Sequence, residues 1–174
     1  MRRVAVVGPG GAGKTTFSRE LGRRLGLSVV HLDEHYWQPG WTAIADTAWP
    51  ALQAQLVAGE RWIVDGNYGS TLDIRLARAD TVIVLAPPRL VCLAGALRRS
   101  LGRRGEAVQA PGCPERVSVE FLRWIWRFPA DSRPRVDAAV ERHREHLQVV
   151  ELRSRAAAAA FLDDLAKPRD APGA

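Results

Sequence analysis

Residues 8–16 are Gly8-Pro9-Gly10-Gly11-Ala12-Gly13-Lys14-Thr15-Thr16, and this stretch decides the fold. It follows the β-branched apolar run Val4-Ala5-Val6-Val7, which predicts a buried strand, and it precedes Phe17-Ser18-Arg19-Glu20-Leu21, which opens a helical pattern. The spacing G-x-x-x-x-G-K-T between a strand and a helix is typical of a phosphate-binding loop. A glycine-rich turn without a ligand is the competing interpretation, and it leaves the Lys and the Thr unexplained.

Each part of this loop is suited to holding a polyphosphate. The glycines let backbone N–H groups turn toward the anion without Cβ clashes, and the following helix directs its positive dipole end at the same anion. Lys14 is expected to reach the β- and γ-phosphates, and the Thr15 hydroxyl is expected to ligate Mg²⁺. The predicted cofactors are therefore ATP and Mg²⁺. The predicted nucleotide contacts in the loop are Gly8, Gly10, Gly11, Ala12, Gly13, Lys14, Thr15 and Thr16.

The choice of lysine at this position is informative in its own right. Only two of the 25 Lys and Arg residues are lysines, Lys14 and Lys167. In a chain so strongly biased toward arginine, a lysine here favours a role for a compact ammonium over a planar guanidinium.

The composition bounds the remaining possibilities. A length of 174 residues with 47% apolar and 25% charged residues indicates a single globular domain over 1–174. The net charge of +6 suits anionic ligands such as nucleotides, and it also permits weak contact with nucleic acid. Cys92 and Cys113 are too few and too scattered for a disulfide framework or a zinc site.

No segment predicts membrane insertion or export. The N-terminus enters a strand at once, so a signal-peptide core is not expected, and no apolar run approaches the ~18–20 residues of a membrane span. We therefore expect a cytoplasmic protein, either a monomer or a homodimer, that does not contact membranes.

Strands and helices alternate along the chain, which predicts an α/β fold with a doubly wound parallel sheet and helices on both faces. Two irregular segments are expected, an aromatic loop at 35–41 and a long loop at 102–115 that contains Gly and Pro without periodicity. Residues 133–135 are expected to separate two helices, and residues 167–174 are expected to form a flexible tail. The predicted strands are 4–7, 27–32, 61–65, 81–85 and 147–152. The predicted helices are 17–25, 47–58, 72–77, 90–101, 117–128, 136–146 and one that is capped by Ser154.

Two carboxylates follow neighbouring predicted strands. Ligands bind beyond the carboxyl ends of the strands in such sheets, and Asp33 and Asp65 lie at that edge together with the glycine-rich loop. Asp65 ends a hydrophobic strand and is assigned to Mg²⁺. Asp33 leads into the aromatic loop and is assigned as the base that accepts a proton from an attacking hydroxyl. Either residue could instead be a helix cap or a turn former.

Arginines surround the predicted loop at 102–115. An arginine-bearing lid over a γ-phosphoryl group would exclude water and stabilise the transferred charge. A solvated basic helix end is the alternative for each of them. These residues are Arg98, Arg99, Arg103, Arg104 and Arg116.

Two further patterns have a structural and a functional interpretation. His143 and His146 could bind a metal, but a solvated helix face is favoured. The aromatic and Arg residues of 121–128 resemble a nucleic-acid surface, but a helix packed against the core is favoured.

Several stretches taken together identify a family resemblance. They are His31-Leu32-Asp33 with Tyr36-Trp37-Gln38-Pro39-Gly40-Trp41, then Trp62-Ile63-Val64-Asp65-Gly66-Asn67-Tyr68, and finally Gly112-Cys113-Pro114-Glu115-Arg116 with Glu120-Phe121-Leu122-Arg123-Trp124-Ile125-Trp126. In this order, after a GxxxxGKT loop, they resemble the DNA topology modulation (FlaR-related) proteins. Those proteins are similar to the adenylate kinase-like branch of P-loop nucleoside and nucleotide kinases.

The resemblance implies a three-layer αβα fold with a five-stranded sheet of order 2-3-1-4-5. It also implies an acceptor-binding region at about 34–60 and a lid at about 102–115. Arg98 or Arg99 would stack on adenine, and Arg153 and Ser154 would lie against the base. We accordingly expect Lys14, Asp33 and Arg99 to be catalytic. The acceptor is expected to contact Asp33, Tyr36, Trp37, Asn67, Tyr68 and Arg133.

Two functions from different classes follow. The first is a kinase that transfers the γ-phosphoryl group of ATP to a nucleoside, a nucleotide or another hydroxylated acceptor. The second is an ATP-dependent regulatory protein that affects DNA topology without small-molecule kinase activity. The pair Asp33 and Asp65 favours the first, whereas the positive net charge weakly favours the second. A binding module that has lost turnover is a third possibility.

Overall fold

A computed structural model describes residues 1–102, 107–114 and 118–166, and five parallel strands form its central sheet. Two short antiparallel hairpins lie outside that sheet: β3 (Trp37–Gln38) with β4 (Thr42–Ala43), and β7 (Ala107–Ala110) with β8 (Cys113–Pro114). The strands of the central sheet are β1 (Arg3–Val7), β2 (Val29–His31), β5 (Trp62–Asp65), β6 (Thr81–Leu85) and β9 (Gln148–Leu152).

The order of strands along the sheet is β2-β5-β1-β6-β9. These labels also count the four hairpin strands, so they run higher than the numbers of an order that counts the central strands alone. When the strands of this sheet alone are counted in chain order, the arrangement is 2-3-1-4-5, and the predicted α/β class is confirmed.

Helices cover both faces of the sheet, as the alternation of side chains along β1 requires. Ala5 and Val7 belong to a buried cluster with side chains of α3, α4 and α7. Val4 and Val6 belong to a second cluster with side chains of α1, α5, α6 and α8. The helices are α1 (Lys14–Leu25), α2 (Leu32–Tyr36), α3 (Trp49–Leu56), α4 (Leu72–Leu76), α5 (Arg89–Gly102), α6 (Val119–Asp131), α7 (Arg133–Arg142) and α8 (Arg155–Ala166).

Three predicted segments differ from the structure. The aromatic stretch 35–41 is not a loop, because α2 runs through Tyr36 and the chain then turns at Gly40 between β3 and β4. The segment 102–115 is not without structure, since β7 and β8 pair within it. Residues 133–135 do not separate two helices but begin α7, because proline is tolerated in the first turn of a helix. Arg103, Arg104, Arg116 and the tail 167–174 lie outside the described residues.

The interpretations of the two histidines and of 121–128 can also be compared with the structure. His143 Nε2 lies 3.0 Å from Oδ1 of Asp73, and His146 Nε2 lies 3.0 Å from the carbonyl oxygen of Leu76, so both rings connect the turn after α7 to α4. Ile125 and Phe128 are buried, as a core-packed helix requires. No helix within the described part of the chain is long and apolar enough to cross a bilayer.

Candidate active site

The carboxyl ends of β1, β2 and β5 open into one large cleft of about 1270 Å³. The register pairs Asp65 with Val6 on one side and with His31 on the other, so the glycine-rich loop, Asp33 and Asp65 are brought to the same edge. Side chains from nearly every helix complete the walls. Among the predicted site residues, those that line the cleft are Gly10, Gly11, Gly13, Lys14, Thr15, Thr16, Asp33, Trp37, Asp65, Asn67, Tyr68, Arg98 and Arg99.

The glycine-rich loop is held close to α5. Gly11 has a φ of +72°, and a Cβ at this position would lie 2.0 Å from the carbonyl oxygen of Cys92. Only glycine allows this contact, because both the positive φ and the short distance exclude a side chain. Gly8 and Ala12 belong to the same loop and were predicted to contact the nucleotide, but they do not line the cleft. The loop is therefore supported from behind while its front faces the cavity.

The ammonium of Lys14 crosses the base of the loop. Its Nζ donates hydrogen bonds to the carbonyl oxygens of Gly8 at 2.9 Å and of Pro9 at 3.0 Å. Burial lowers the pKa of Lys14, whereas the carboxylates of Asp33 and Asp65 act to raise the pKa. A partly buried cation that is held by neutral carbonyls is well placed to gain from an anion that enters the cleft.

Asp65 is paired with a residue that the sequence analysis left without a role. Its Oδ2 lies 2.7 Å from Nδ1 of His31, and Nε of Arg19 lies 3.3 Å from Nε2 of the same ring. Because Arg19 can only donate, Nε2 is the acceptor in this contact, and Nδ1 donates to Asp65. The hydrogen bond to Asp65 raises the pKa of His31. His31 thus fixes one oxygen of a carboxylate that is only 5% exposed.

Asp33 is fixed by Tyr68. The hydroxyl of Tyr68 donates to Oδ1 of Asp33 at 2.6 Å. Burial, followed by the charge of Asp33, raises the pKa of Tyr68 far above its usual value, so the phenol remains a donor. Its ring belongs to an aromatic cluster with Tyr36 and Trp49. The ring centroids of the three residues lie within 5.0 Å of one another. Tyr36 packs within this cluster and is not part of the cleft lining, whereas Trp37 and Trp41 are.

The arginines separate into two groups. Arg98 and Arg99 line the cleft, as predicted. Arg133 and Arg153 do not line this cleft, because both pair with Glu151, at 3.1 and 3.2 Å. Three arginines that were not assigned to the site also line the cleft: Arg19, Arg135 and Arg155.

Ser154 has the capping role expected for α8. Its Oγ accepts a hydrogen bond from the backbone N–H of Ala157 at 3.0 Å. The residue belongs to the helix start and not to the cleft lining.

A hydrogen-bonded contact joins the two hairpins next to Trp37 and Trp41, which line the cleft. The N–H of Gly40 donates to the carbonyl oxygen of Gly112 at 3.0 Å, and the indole N–H of Trp41 donates to the carbonyl oxygen of Pro114 at 3.1 Å. The thiol of Cys113, which is fully buried, donates to the carbonyl oxygen of Gln38 at 3.1 Å. We call this contact the hairpin junction.

The donor set at the loop is suitable for Mg²⁺ and a polyphosphate. Thr15 and Asp65 supply the hard oxygen ligands that Mg²⁺ prefers, and Oδ1 of Asp65 has no hydrogen-bond donor among the described residues. Apart from the chain next to Gly13, no described residue has an atom within 4 Å of the position that a Cβ would take there, so the backbone is open toward the cavity. Within the described ranges, no group of three or more His, Cys, Asp or Glu residues could form a separate metal centre.

Comparisons with known proteins place this geometry in a structural context. No family model matches the sequence, and no curated protein matches it. A shikimate kinase from Acinetobacter baumannii, solved in complex with shikimate, is 19% identical over 95% of this chain and 90% of its own, with a TM-score of 0.54. A shikimate kinase from Bacteroides thetaiotaomicron is 14% identical over 94% and 96% of the two chains, also with a TM-score of 0.54. At these identities the likeness is one of fold, and the chain has the P-loop fold of the shikimate kinases.

Proposed function

We propose that the protein is a small-molecule kinase that transfers the γ-phosphoryl group of MgATP to a hydroxyl group of a small acceptor. The observation that carries this proposal is the meeting of Lys14, Asp33 and Asp65 in one cleft. A protein that only binds nucleotide needs the glycine-rich loop and a metal ligand. It does not need a second carboxylate such as Asp33, which is held by Tyr68 in a cleft that Trp37 and Trp41 also line.

Each of these residues has a distinct role in the proposal. Lys14 holds the β- and γ-phosphates, and Thr15 with Asp65 holds Mg²⁺, which neutralises the charge of the phosphates when bound. Arg98 and Arg99 approach from α5, where a guanidinium stabilises charge on the transferred group. Asp33 is assigned to the acceptor, because Tyr68, which contacts it, and Trp37 line the same cleft.

The transfer step is a simple displacement. Asp33 accepts the proton of the acceptor hydroxyl, and the hydroxyl oxygen forms a bond to the γ-phosphorus. The bond between the γ-phosphorus and the β–γ bridging oxygen breaks, and ADP leaves with that oxygen. The acceptor is a nucleoside, a nucleotide or another hydroxylated molecule that fits between Trp37, Trp41 and Tyr68.

The proposal is tested with the purified full-length chain. ADP formation is followed with MgATP and a panel of nucleosides, nucleotides and hydroxylated small molecules, and the product of any active acceptor is identified by mass spectrometry. We expect acceptor-dependent ADP formation and a phosphorylated product. Binding of MgATP without a phosphorylated product from any acceptor would contradict the kinase proposal.

The roles of the two carboxylates are then separated by substitution. Asp33→Asn should leave MgATP binding unchanged and lower turnover by roughly 10²–10⁴-fold, as expected for a general base. Asp65→Asn should raise the magnesium concentration needed for half-maximal turnover. Asp46→Asn is the control, because Asp46 is exposed and lies outside the cleft.

The alternative function, an ATP-dependent effect on DNA topology, rests on the family resemblance and on the net charge. The described arginines give it little support, since many of them pair with carboxylates, for example Arg127 with Asp131 and Arg142 with Asp73. DNA binding that survives at physiological salt and responds to ATP would favour this alternative.

A further inference from the structure

Arg75, which no sequence pattern singled out, is the largest fully buried side chain among the described residues. It lies in the short helix α4, and its guanidinium points back at the segment that follows β5. Nη1 donates to the carbonyl oxygen of Gly66 at 2.8 Å, and Nη2 lies 3.4 Å from that of Asn67 and 3.2 Å from that of Tyr68. Three successive carbonyl groups are thus held by one side chain.

The charge of this guanidinium is not neutralised by an ion pair. Within the described part of the chain, no carboxylate forms a salt bridge with Arg75. Burial lowers the pKa of Arg75 to about 10, so the group is still a cation at neutral pH. A buried cation without a paired carboxylate is costly. The three carbonyl groups offset part of that cost, and Tyr68 and Asp65 both act to raise the pKa of Arg75.

The segment that Arg75 holds connects the two carboxylates of the site. At one end it follows Asp65, and at the other end Tyr68 donates its hydroxyl to Asp33. Between them, Gly66 has a φ of +144°, and a Cβ at this position would lie 2.8 Å from Cβ of Leu32, the residue before Asp33. The path of these three residues therefore fixes where Tyr68 lies and, through its hydroxyl, where Asp33 points.

We propose that Arg75 is a positioning residue of the phosphotransfer site, which keeps Asp33 directed at the acceptor by fixing the backbone of 66–68. It never contacts the substrate, since it does not line the cleft. The proposal rests on the kinase function proposed above, and it predicts an effect on turnover but not on nucleotide binding.

The kinetic test uses Arg75→Met, Arg75→Lys and a matched control, Arg78→Met. Arg78 follows in the same stretch of chain and also donates to a backbone carbonyl, but its partner is that of Ala58, which lies outside the segment 66–68. At saturating magnesium we expect Arg75→Met to lower turnover at least tenfold and to change the Kd for MgATP less than twofold. Arg75→Lys keeps the positive charge, so its turnover should fall by less than that of Arg75→Met. Arg78→Met should retain both values. Wild-type turnover in a folded Arg75→Met protein would overturn the proposal.

A second readout needs neither acceptor nor nucleotide. The chain has two tyrosines, so ¹³Cζ-tyrosine labelling gives two resonances, which Tyr36→Phe assigns. The charged and titratable groups that act on the Tyr68 phenol are Asp33, Tyr36 and Arg75. In the wild type and in Arg78→Met, Tyr68 should stay protonated above pH ~10, where free tyrosine ionises.

This titration separates positioning from a simple effect of charge. The charge of Arg75 lowers the pKa of Tyr68, so removing that charge alone would raise the pKa further. Loss of the contact between Tyr68 and Asp33 would lower it. We expect Tyr68 to ionise at lower pH in Arg75→Met, and in Arg75→Lys should the methionine variant not fold. An unchanged or raised pKa in the folded variant would overturn the proposal. A wild-type protein that phosphorylates no acceptor would contradict the kinase function instead, and the titration alone would then decide the role of Arg75.

Discussion

The hydroxyl of Tyr68 donates a 2.6 Å hydrogen bond to Oδ1 of Asp33, across the point where the β2 and β5 ends of the sheet meet. Charge-assisted hydrogen bonds of this length are strong. The contact occupies one oxygen of the carboxylate and leaves Oδ2 without a hydrogen-bond donor among the described residues. Asp33 is therefore oriented before an acceptor arrives.

Tyr68→Phe removes this donor and keeps the aromatic ring. A hydrogen bond to a charged group contributes about 1.5–3 kcal/mol, so turnover should fall by about 10- to 150-fold if the whole of it orients the base. The measurement is steady-state kinetics with the acceptor identified above. Tyr36→Phe is the matched control, because Tyr36 packs in the same aromatic cluster at 4.6 Å from Tyr68. Equal losses in both variants would show that the effect is not specific to the hydroxyl that contacts Asp33.

Lys14→Ala should weaken binding of MgATP. The substitution removes charge-assisted contacts to the β- and γ-phosphates, for a loss of roughly 2–4 kcal/mol. Isothermal titration calorimetry measures this directly. Arg23→Ala serves as the control, since Arg23 lies on the exposed side of the same helix and pairs with Glu20. An unchanged Kd in Lys14→Ala would place the nucleotide elsewhere.

The contact between α4 and α7 should make stability depend on pH. Hydrogen bonds from Arg142 and His143, opposed in part by burial, lower the pKa of Asp73. A carboxyl whose pKa is depressed by folding stabilises the protein above its unfolded pKa, and that contribution is lost as the pH falls through the folded pKa. Since Asp73 is 47% exposed, the contribution is about 1 kcal/mol or less.

Urea unfolding of the wild type and of Asp73→Asn checks this prediction. The variant should be less stable at pH ~7, and the difference should shrink below pH ~4, the usual pKa of an aspartate. Asp46→Asn should match the wild type at both pH values. A difference that is the same at both would assign the effect of Asp73 to packing.

Substitution of Gly112 should open the hairpin junction. Gly112 has a φ of +71°, and a Cβ there would lie 2.8 Å from Cβ of Pro39. Gly112→Ala should therefore expose the buried thiol of Cys113. We expect at least a tenfold faster reaction of Cys113 with a thiol reagent, measured in a Cys92→Ala background. Gly59→Ala is the control, because no atom lies within 4 Å of its Cβ position. Equal rates in both variants would mean that the junction tolerates the methyl group.

Much of the fold follows from patterns within short stretches. Val4–Val7 and Thr81–Leu85 are β-branched runs of strand length, and strands of this kind are predicted correctly because burial on both faces leaves no competing pattern. The segment 102–115 was mispredicted because β7 and β8 are short and are stabilised by contacts with the hairpin at 37–43, which is distant in sequence. Local periodicity carries no information about such contacts.

The candidate site likewise contains residues that local sequence patterns locate and residues that depend on contacts distant in sequence. Gly11, Lys14 and Asp33 could be located at the cleft because each sits at a fixed offset from a strand. Arg133 was assigned to the acceptor, whereas Arg135, which received no role, lines the cleft, because two residues two positions apart on a helix point in different directions. Only the start of α7 determines that Arg135 lines the cleft. Arg75 gives no signal in the sequence, because arginine is among the residues least often fully buried.

The hairpin junction has a consequence for protein engineering. Its three hydrogen bonds use backbone carbonyl groups as acceptors, and one of its donors is the backbone N–H of Gly40. The length and path of each hairpin are therefore matched to the other, whereas several side chains can change. To replace one hairpin with that of another protein, both hairpins would have to be exchanged together as one unit.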